Sequence, residues 1–144
     1  DDRKLTEVYD ATLEGNEDID GRDCYVLDLI ANVDDVAYHS QKMWIDAERF
    51  VPLKQEMFAK GGQLLKRTTL SDVKKVQGRW FPMTMVYKDM LKDGKGTEFR
   101  LTGIKFDEDI PDYIFNTFRL ECCYFTQIVV ELGFVLFDFR FQGI

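Results

Sequence analysis

The chain has 144 residues, a formal net charge of −7, 45% hydrophobic and 14% aromatic residues, and twelve phenylalanines. Its length suits one domain, and so much large apolar surface excludes disorder. The acidic balance, with no basic run longer than Lys66-Arg67 or Lys74-Lys75, argues against nucleic acid, because phosphate binding needs a concentrated positive face.

Along the chain, apolar and polar residues alternate with the period of a strand over short runs separated by turn chemistry. The runs predict strands at about 6–14, 24–32, 38–46, 53–59, 63–74, 80–89 and 97–106, with two more in the tail at 124–131 and 134–141. "GNEDIDGR" (15–22) reads as the connection between the first two. "AKGG" (59–62), "VQGR" (76–79) and "KDGKG" (92–96) read as hairpin turns that supply glycine for positive φ. No long amphipathic helix is predicted. The best helical candidate is a single turn in "DEDIPDYIFNTF" (107–118), with Pro111 at a first helical position. In the tail, Ile128, Leu132, Val135 and Phe139 also fit a helical stripe, but "FDFRF" alternates strictly and the valine, phenylalanine and glycine content favours strands. The fold class is therefore mainly β, an antiparallel meander with little helix.

"SDVKKVQGRWFPMTMVYKDM" (71–90) is the unusual stretch. Phe81, Met83, Met85 and Tyr87 point to one face of its strand and Trp80, Pro82, Thr84 and Val86 to the other, so both faces carry apolar groups. The second face then needs a cover, which is either another layer of the protein or a ligand. Methionine suits a wall that repacks around variable shapes, although Met43, Met57, Met83 and Met85 also suit an ordinary core as gap-fillers. Pro82 cannot donate to a ladder and belongs at an edge, at a bulge or near the strand start.

Catalytic and metal chemistry find little support. Cys24, Cys122 and Cys123 with the single His39 have no metal-ligand spacing, so neither a metal nor another cofactor is expected. Cys24 either pairs with one of the adjacent cysteines in an oxidising compartment or stays a free thiol. "DED" (107–109) and "DD" (34–35) are acidic pairs in predicted loops with no nucleophile beside them, and "GKGTEF" (94–99) is neither a P-loop nor a dinucleotide pattern. No catalytic constellation assembles, and the chain is expected not to be an enzyme. The opening "DDRKLTEV" has no apolar stretch of a signal peptide, as a processed secreted chain would also lack. Glu131, Asp138 and Arg140 interrupt the apolar tail too often for a spanning helix. "GFVLFDFRF" has the alternation of an outer-membrane barrel strand, but one or two such strands close no barrel.

"IDGRDCYVLDL" (19–29), "KMWIDAERFVPLKQEMFAKGGQLLKRTTLSDVKKVQGRWFPMTMVYKDM" (42–90) and "GTEFRLTGIKFDEDIPDYIF" (96–115), in that order, resemble the outer-membrane lipoprotein-sorting, LolA-like family over about residues 18–120. The specific pieces are Trp44-Ile45-Asp46 followed by Pro52-Leu53-Lys54, the Gly78-Arg79-Trp80 turn with Pro82, and the exit from Phe106-Asp107 to Phe115. The resemblance implies an antiparallel sheet curled into an open half-barrel. Residues 1–120 are expected to form this sheet domain, and 121–144, which do not resemble the family's ending, are expected to be an apolar tail of extra strands packed on it. Relative to that family the chain is short at the N-terminus, where a helix and further strands are expected.

The resemblance also implies a periplasmic binding or carrier protein for lipoprotein acyl chains or another hydrophobic ligand, held without covalent chemistry so that it can be released. Met43, Ile45, Met57, Phe81, Met83, Met85 and Tyr87 are the expected lining of the cavity. Partners on this reading are lipids or lipoprotein acyl chains and membrane-associated donor and acceptor proteins, with a second copy pairing through an exposed edge or the tail. The alternative is an interaction or sensor module on the same scaffold that binds a protein or lipoprotein and transports nothing.

Overall fold

The computed structural model describes residues 4–106 and 135–139. A single helical turn, α1 (Leu5–Val8), leads into eight strands: β1 (Tyr9–Ile19), β2 (Arg22–Ala31), β3 (Ser40–Asp46), β4 (Pro52–Phe58), β5 (Leu64–Val76), β6 (Arg79–Asp89), β7 (Thr97–Phe106) and β8 (Val135–Phe139). Every pairing is antiparallel and the strands lie in the sheet in chain order, so the sheet is an open meander with β1 and β8 at the ends of its order. The mainly β class and the LolA-like sheet expected from the sequence are borne out. The expected turn in 107–118, the strand at 124–131, Cys122 and Cys123 lie outside the described residues.

Two local differences from the sequence reading have physical causes. The first strand begins at Tyr9 rather than near residue 6, because the Glu7 amide donates to the Lys4 carbonyl at 2.9 Å and the Lys4 amide to Glu7 Oε2 at 3.1 Å, closing a turn. It also runs on to Ile19, through residues that read as a loop. The polar run stays extended because β1 needs a partner on one side only: a bulge between Leu13 and Gly15 resets the register, and Glu17 then pairs with Cys24. Trp44 Nε1 anchors it by donating to Glu17 Oε2 at 2.7 Å. The actual turn is Asp20-Gly21, both with positive φ, the geometry that matches strand twist in a two-residue hairpin.

Gln77-Gly78 repeats that geometry between β5 and β6. Pro82 follows at a buried position of β6 opposite Val73. The β6–β7 pairing covers Thr84 to Tyr87, so Pro82 sits near the strand start with β5 as its paired neighbour. Its missing N–H therefore leaves no gap in the β6–β7 ladder.

Cross-strand partners share a face, and the registers sort the sheet into two surfaces. Val26, Trp44, Lys54, Thr69 and Val86 form one continuous row. On this face Cys24, Val26, Trp44 and Leu53 pack together, with Ile19 and Val73 against them. Lys54 Nζ lies 4.0 Å from the centroid of the Trp44 ring, and Glu56 accepts from Lys54 and Arg67 at 3.1 and 2.8 Å.

Asp46 anchors the same face. Its carboxylate accepts from Arg22 Nε at 2.8 Å and Nη2 at 2.9 Å, and from the Glu48 and Arg49 amides at 2.9 and 3.0 Å. Arg22, followed by those two amides, holds the Asp46 carboxyl well below the usual carboxylate range against the opposing effect of burial. Cys24, opposite Asp46, is a free thiol; burial pushes it up, and the Asp46 charge adds in the same direction.

Candidate ligand-binding face

The opposite surface carries the residues that the sequence reading expected to line a cavity. Leu27, Met43, Gln55, Thr68 and Tyr87 form one row across β2 to β6, and Leu29, Gln41, Met57 and Lys66 form the next. Ile45 lies two residues from Met43 on β3, and Met85 stands opposite both Leu70 and Phe99. With the two-residue period of β6, this register puts Met43, Ile45, Met57, Phe81, Met83, Met85 and Tyr87 on one face.

Those residues are not equivalent. Phe81, Met83 and Met85 are buried in a cluster with Leu70, Leu101 and Ile104. Tyr87 is half-buried beside this cluster, edge-on to Phe99 at 5.4 Å between ring centroids, with its hydroxyl 3.7 Å from Met85 Sδ. Met43, Ile45 and Met57 are half-buried. Met43 packs against a second cluster of Val8, Tyr9 and Leu29, which the 32–39 loop helps to cover through Val33 and Val36. Tyr9 donates its hydroxyl to the Tyr38 carbonyl at 2.7 Å and fastens that loop to β1.

Between the two apolar clusters lies a polar band that sequence reading missed. Gln41, Gln55 and Thr68 are buried, and Gln55 Nε2 donates to Gln41 Oε1 at 2.6 Å. The signal was present in the alternation Gln41-Met43-Ile45 and Gln55-Met57, in which the polar residue occupies the inward position. Read as surface, such glutamines carry no weight; placed inward, they pair with each other and satisfy one another's polar groups within the face. Among the described residues, no group of histidine, cysteine and acidic side chains could hold a metal ion, and no helix is long and apolar enough to cross a membrane.

The open antiparallel sheet is shared with solved structures of lipoprotein-sorting and LolA superfamily proteins. A family model described as "Uncharacterized protein" matches residues 1–122, and the chain belongs to that family. A solved structure described as an outer membrane lipoprotein-sorting protein domain from Vibrio parahaemolyticus is 27% identical with a TM-score of 0.66, over 77% of this chain and 47% of that one. A LolA superfamily protein from Nitrosomonas europaea is 30% identical with a TM-score of 0.56, over 77% of this chain and 50% of that one. A DUF1329 family protein from Desulfovibrio piger is 26% identical with a TM-score of 0.56, over 62% of this chain and 37% of that one. The lipoprotein-sorting resemblance is thus borne out, while the chain spans half or less of the length of each of these structures. No curated protein matches.

Proposed function

We propose that this chain forms the ligand-holding sheet of a bacterial periplasmic carrier for lipoprotein acyl chains or another acyl lipid, and that it has no enzymatic activity. The observation that carries this reading is the half-buried surface of Met43, Ile45 and Met57, which continues the packed Phe81-Met83-Met85 cluster on the same face. Acyl chains laid on that surface would gain roughly 0.8 kcal/mol for each methylene removed from water. Exchange needs no covalent step, and the unbranched methionines let the surface follow chains of different length.

The test is uptake of an environment-sensitive acyl-chain fluorophore, together with native mass spectrometry of protein purified from a bacterial periplasm. Saturable uptake, displaced by acyl lipid and weakened by Met57→Asp in a chain that stays folded, is the expected result. A protein that comes out empty and takes up no fluorophore would overturn the carrier reading. It would favour an interaction or sensor module on the same scaffold, a reading supported by how completely Phe81, Met83 and Met85 are already filled by protein neighbours.

A further inference from the structure

The β1–β2, β3–β4 and β5–β6 turns emerge at the same end of the meander, and at the last two Phe50 and Trp80 are exposed. Phe50 closes the β3–β4 turn with φ 54°, a left-handed conformation that suits glycine or asparagine and is an outlier for a bulky residue. Its amide donates to the Asp46 carbonyl at 2.9 Å, which the backbone of any residue but proline would do, while 73% of the residue lies exposed. Neither packing nor backbone geometry calls for phenylalanine at this position.

Next to it, Trp80 at the start of β6 is 39% exposed and carries two cations on its ring. Arg49 Cζ, from the same turn as Phe50, lies 4.8 Å from the ring centroid, and Lys75 Nζ lies 5.6 Å away. The acidic groups nearest in sequence are engaged by other side chains. Glu48 is held by Arg22 at 2.6 Å and Asp72 by Lys74 at 3.2 Å. Two aromatic rings interleaved with cations therefore stand at one end of a chain whose net charge is −7.

We propose that this end, built from Phe50, Trp80, Arg49 and Lys75, docks on the surface of an anionic phospholipid bilayer. Tryptophan and phenylalanine settle at the headgroup level, where an amphipathic or apolar ring leaves water without entering the hydrocarbon centre. Arg49 and Lys75 face the anionic headgroups, an attraction that acts within about a Debye length of the membrane. The chain as a whole is acidic, and Asp18 and Asp20 stand at the β1–β2 turn of this same end, so the attraction is confined to the β3–β4 and β5–β6 tips. The chain therefore meets the membrane turn-first, with the β3–β4 and β5–β6 tips leading.

The experiment is flotation of the whole chain with vesicles of phosphatidylglycerol in phosphatidylcholine, beside vesicles of phosphatidylcholine alone. Binding to the anionic vesicles only is expected, with loss at about 0.5 M salt. Phe50→Asn should keep or raise the unfolding midpoint and leave acyl-fluorophore uptake unchanged, while weakening vesicle binding about tenfold. Arg49→Glu combined with Lys75→Glu should weaken it by at least a further roughly tenfold. Brominated phospholipid should quench the emission of Trp80, whereas Trp44 is buried away from the lipid.

Absence of vesicle binding, equal binding to neutral vesicles, or indifference to Phe50→Asn would each overturn the proposal. Charge-dependent retention on immobilised polyglutamate without vesicle binding would assign this end to an acidic protein partner instead.

Discussion

One face of this sheet holds two regions of similar composition and different construction. Around β5 to β7, Leu70, Phe81, Met83, Met85, Leu101 and Ile104 bury one another. Across β3 and β4, Met43, Ile45 and Met57 stay half-buried on the same face. Methionine is buried core in the first region and half-buried in the second, so residue type does not tell the two apart. The register brings both to one surface, and what stacks on each decides its role. Removing side chains from one region should cost stability, and removing them from the other should cost binding.

The largest effect is expected in the packed region. Met85→Ala deletes a side chain that is 1% exposed, and the cavity it leaves should cost about 3 kcal/mol, read as a shift in the denaturant midpoint with an unchanged slope. Phe81→Ala should cost about 4 kcal/mol for the same reason. A loss below about 1 kcal/mol for either would mean that the cluster is loosely packed and open to a ligand, which would erase the difference between the two regions.

A smaller effect belongs to the opposite face, where a polar anchor at Asp46 stands beside the Cys24, Val26, Trp44 and Leu53 cluster. Asp46→Asn keeps the shape of the side chain but leaves Arg22 with Glu48 as its one remaining carboxylate partner among the described residues, and should cost about 2 kcal/mol near neutral pH. The pH dependence follows from the direction of the shift. Arg22 and two backbone amides hold the Asp46 carboxyl below its ordinary range in the folded state. Its stabilisation is therefore complete above the carboxylate range of the unfolded chain and is lost as pH falls through the lower folded value. The native chain should weaken towards acid, while Asp46→Asn should start lower and weaken less. Parallel acid limbs for the two proteins would show that Asp46 carries no such linkage.

Next in size is Gly96 in the β6–β7 connection. It has φ 91°, and a Cβ there would run into the Tyr87 carbonyl oxygen. Gly96→Ala should cost more than about 1 kcal/mol by chemical denaturation, since it combines a disfavoured backbone region with a collision against main chain. An unchanged midpoint would mean that this connection relaxes freely and does not hold Tyr87 beside the packed cluster.

The meander was legible in the sequence because two-residue alternation and glycine turns are local signals. "VQGR" needs no distant partner to become a hairpin. Residues 15–22 were harder to read, since the polar run from Gly15 to Ile19 stays extended only through its pairing with β2 and the Trp44–Glu17 hydrogen bond. The shared face of the expected wall residues could be foreseen within β6 by counting in twos, and between strands only through the registers. The alternation around Gln41 and Gln55 hinted at their inward position, but their burial and that of Thr68 could not be read from it, because burial of a polar side chain depends on which face the register gives it. The division of the methionines into packed and half-buried sets was equally hidden, because it arises from contacts far apart in the chain, such as Leu101 and Ile104 against Met83 and Met85.

The smallest stability effect is the one that sharpens the comparison most. Met57 sits opposite Gln41 and Lys66, half-buried on the wall. Met57→Ala therefore leaves a shallow depression at the surface instead of a sealed cavity, and should cost less than about 1 kcal/mol. The same change removes part of the surface proposed to contact an acyl chain, so fluorophore affinity should fall severalfold, chiefly through faster release. Met85→Ala reverses that ranking, with a large loss of stability and a small direct loss of binding in the molecules that remain folded. If Met57→Ala instead lost stability on the scale of Met85→Ala and left uptake untouched, the half-buried methionines would be core that awaits more protein, and the ligand face would have to lie elsewhere.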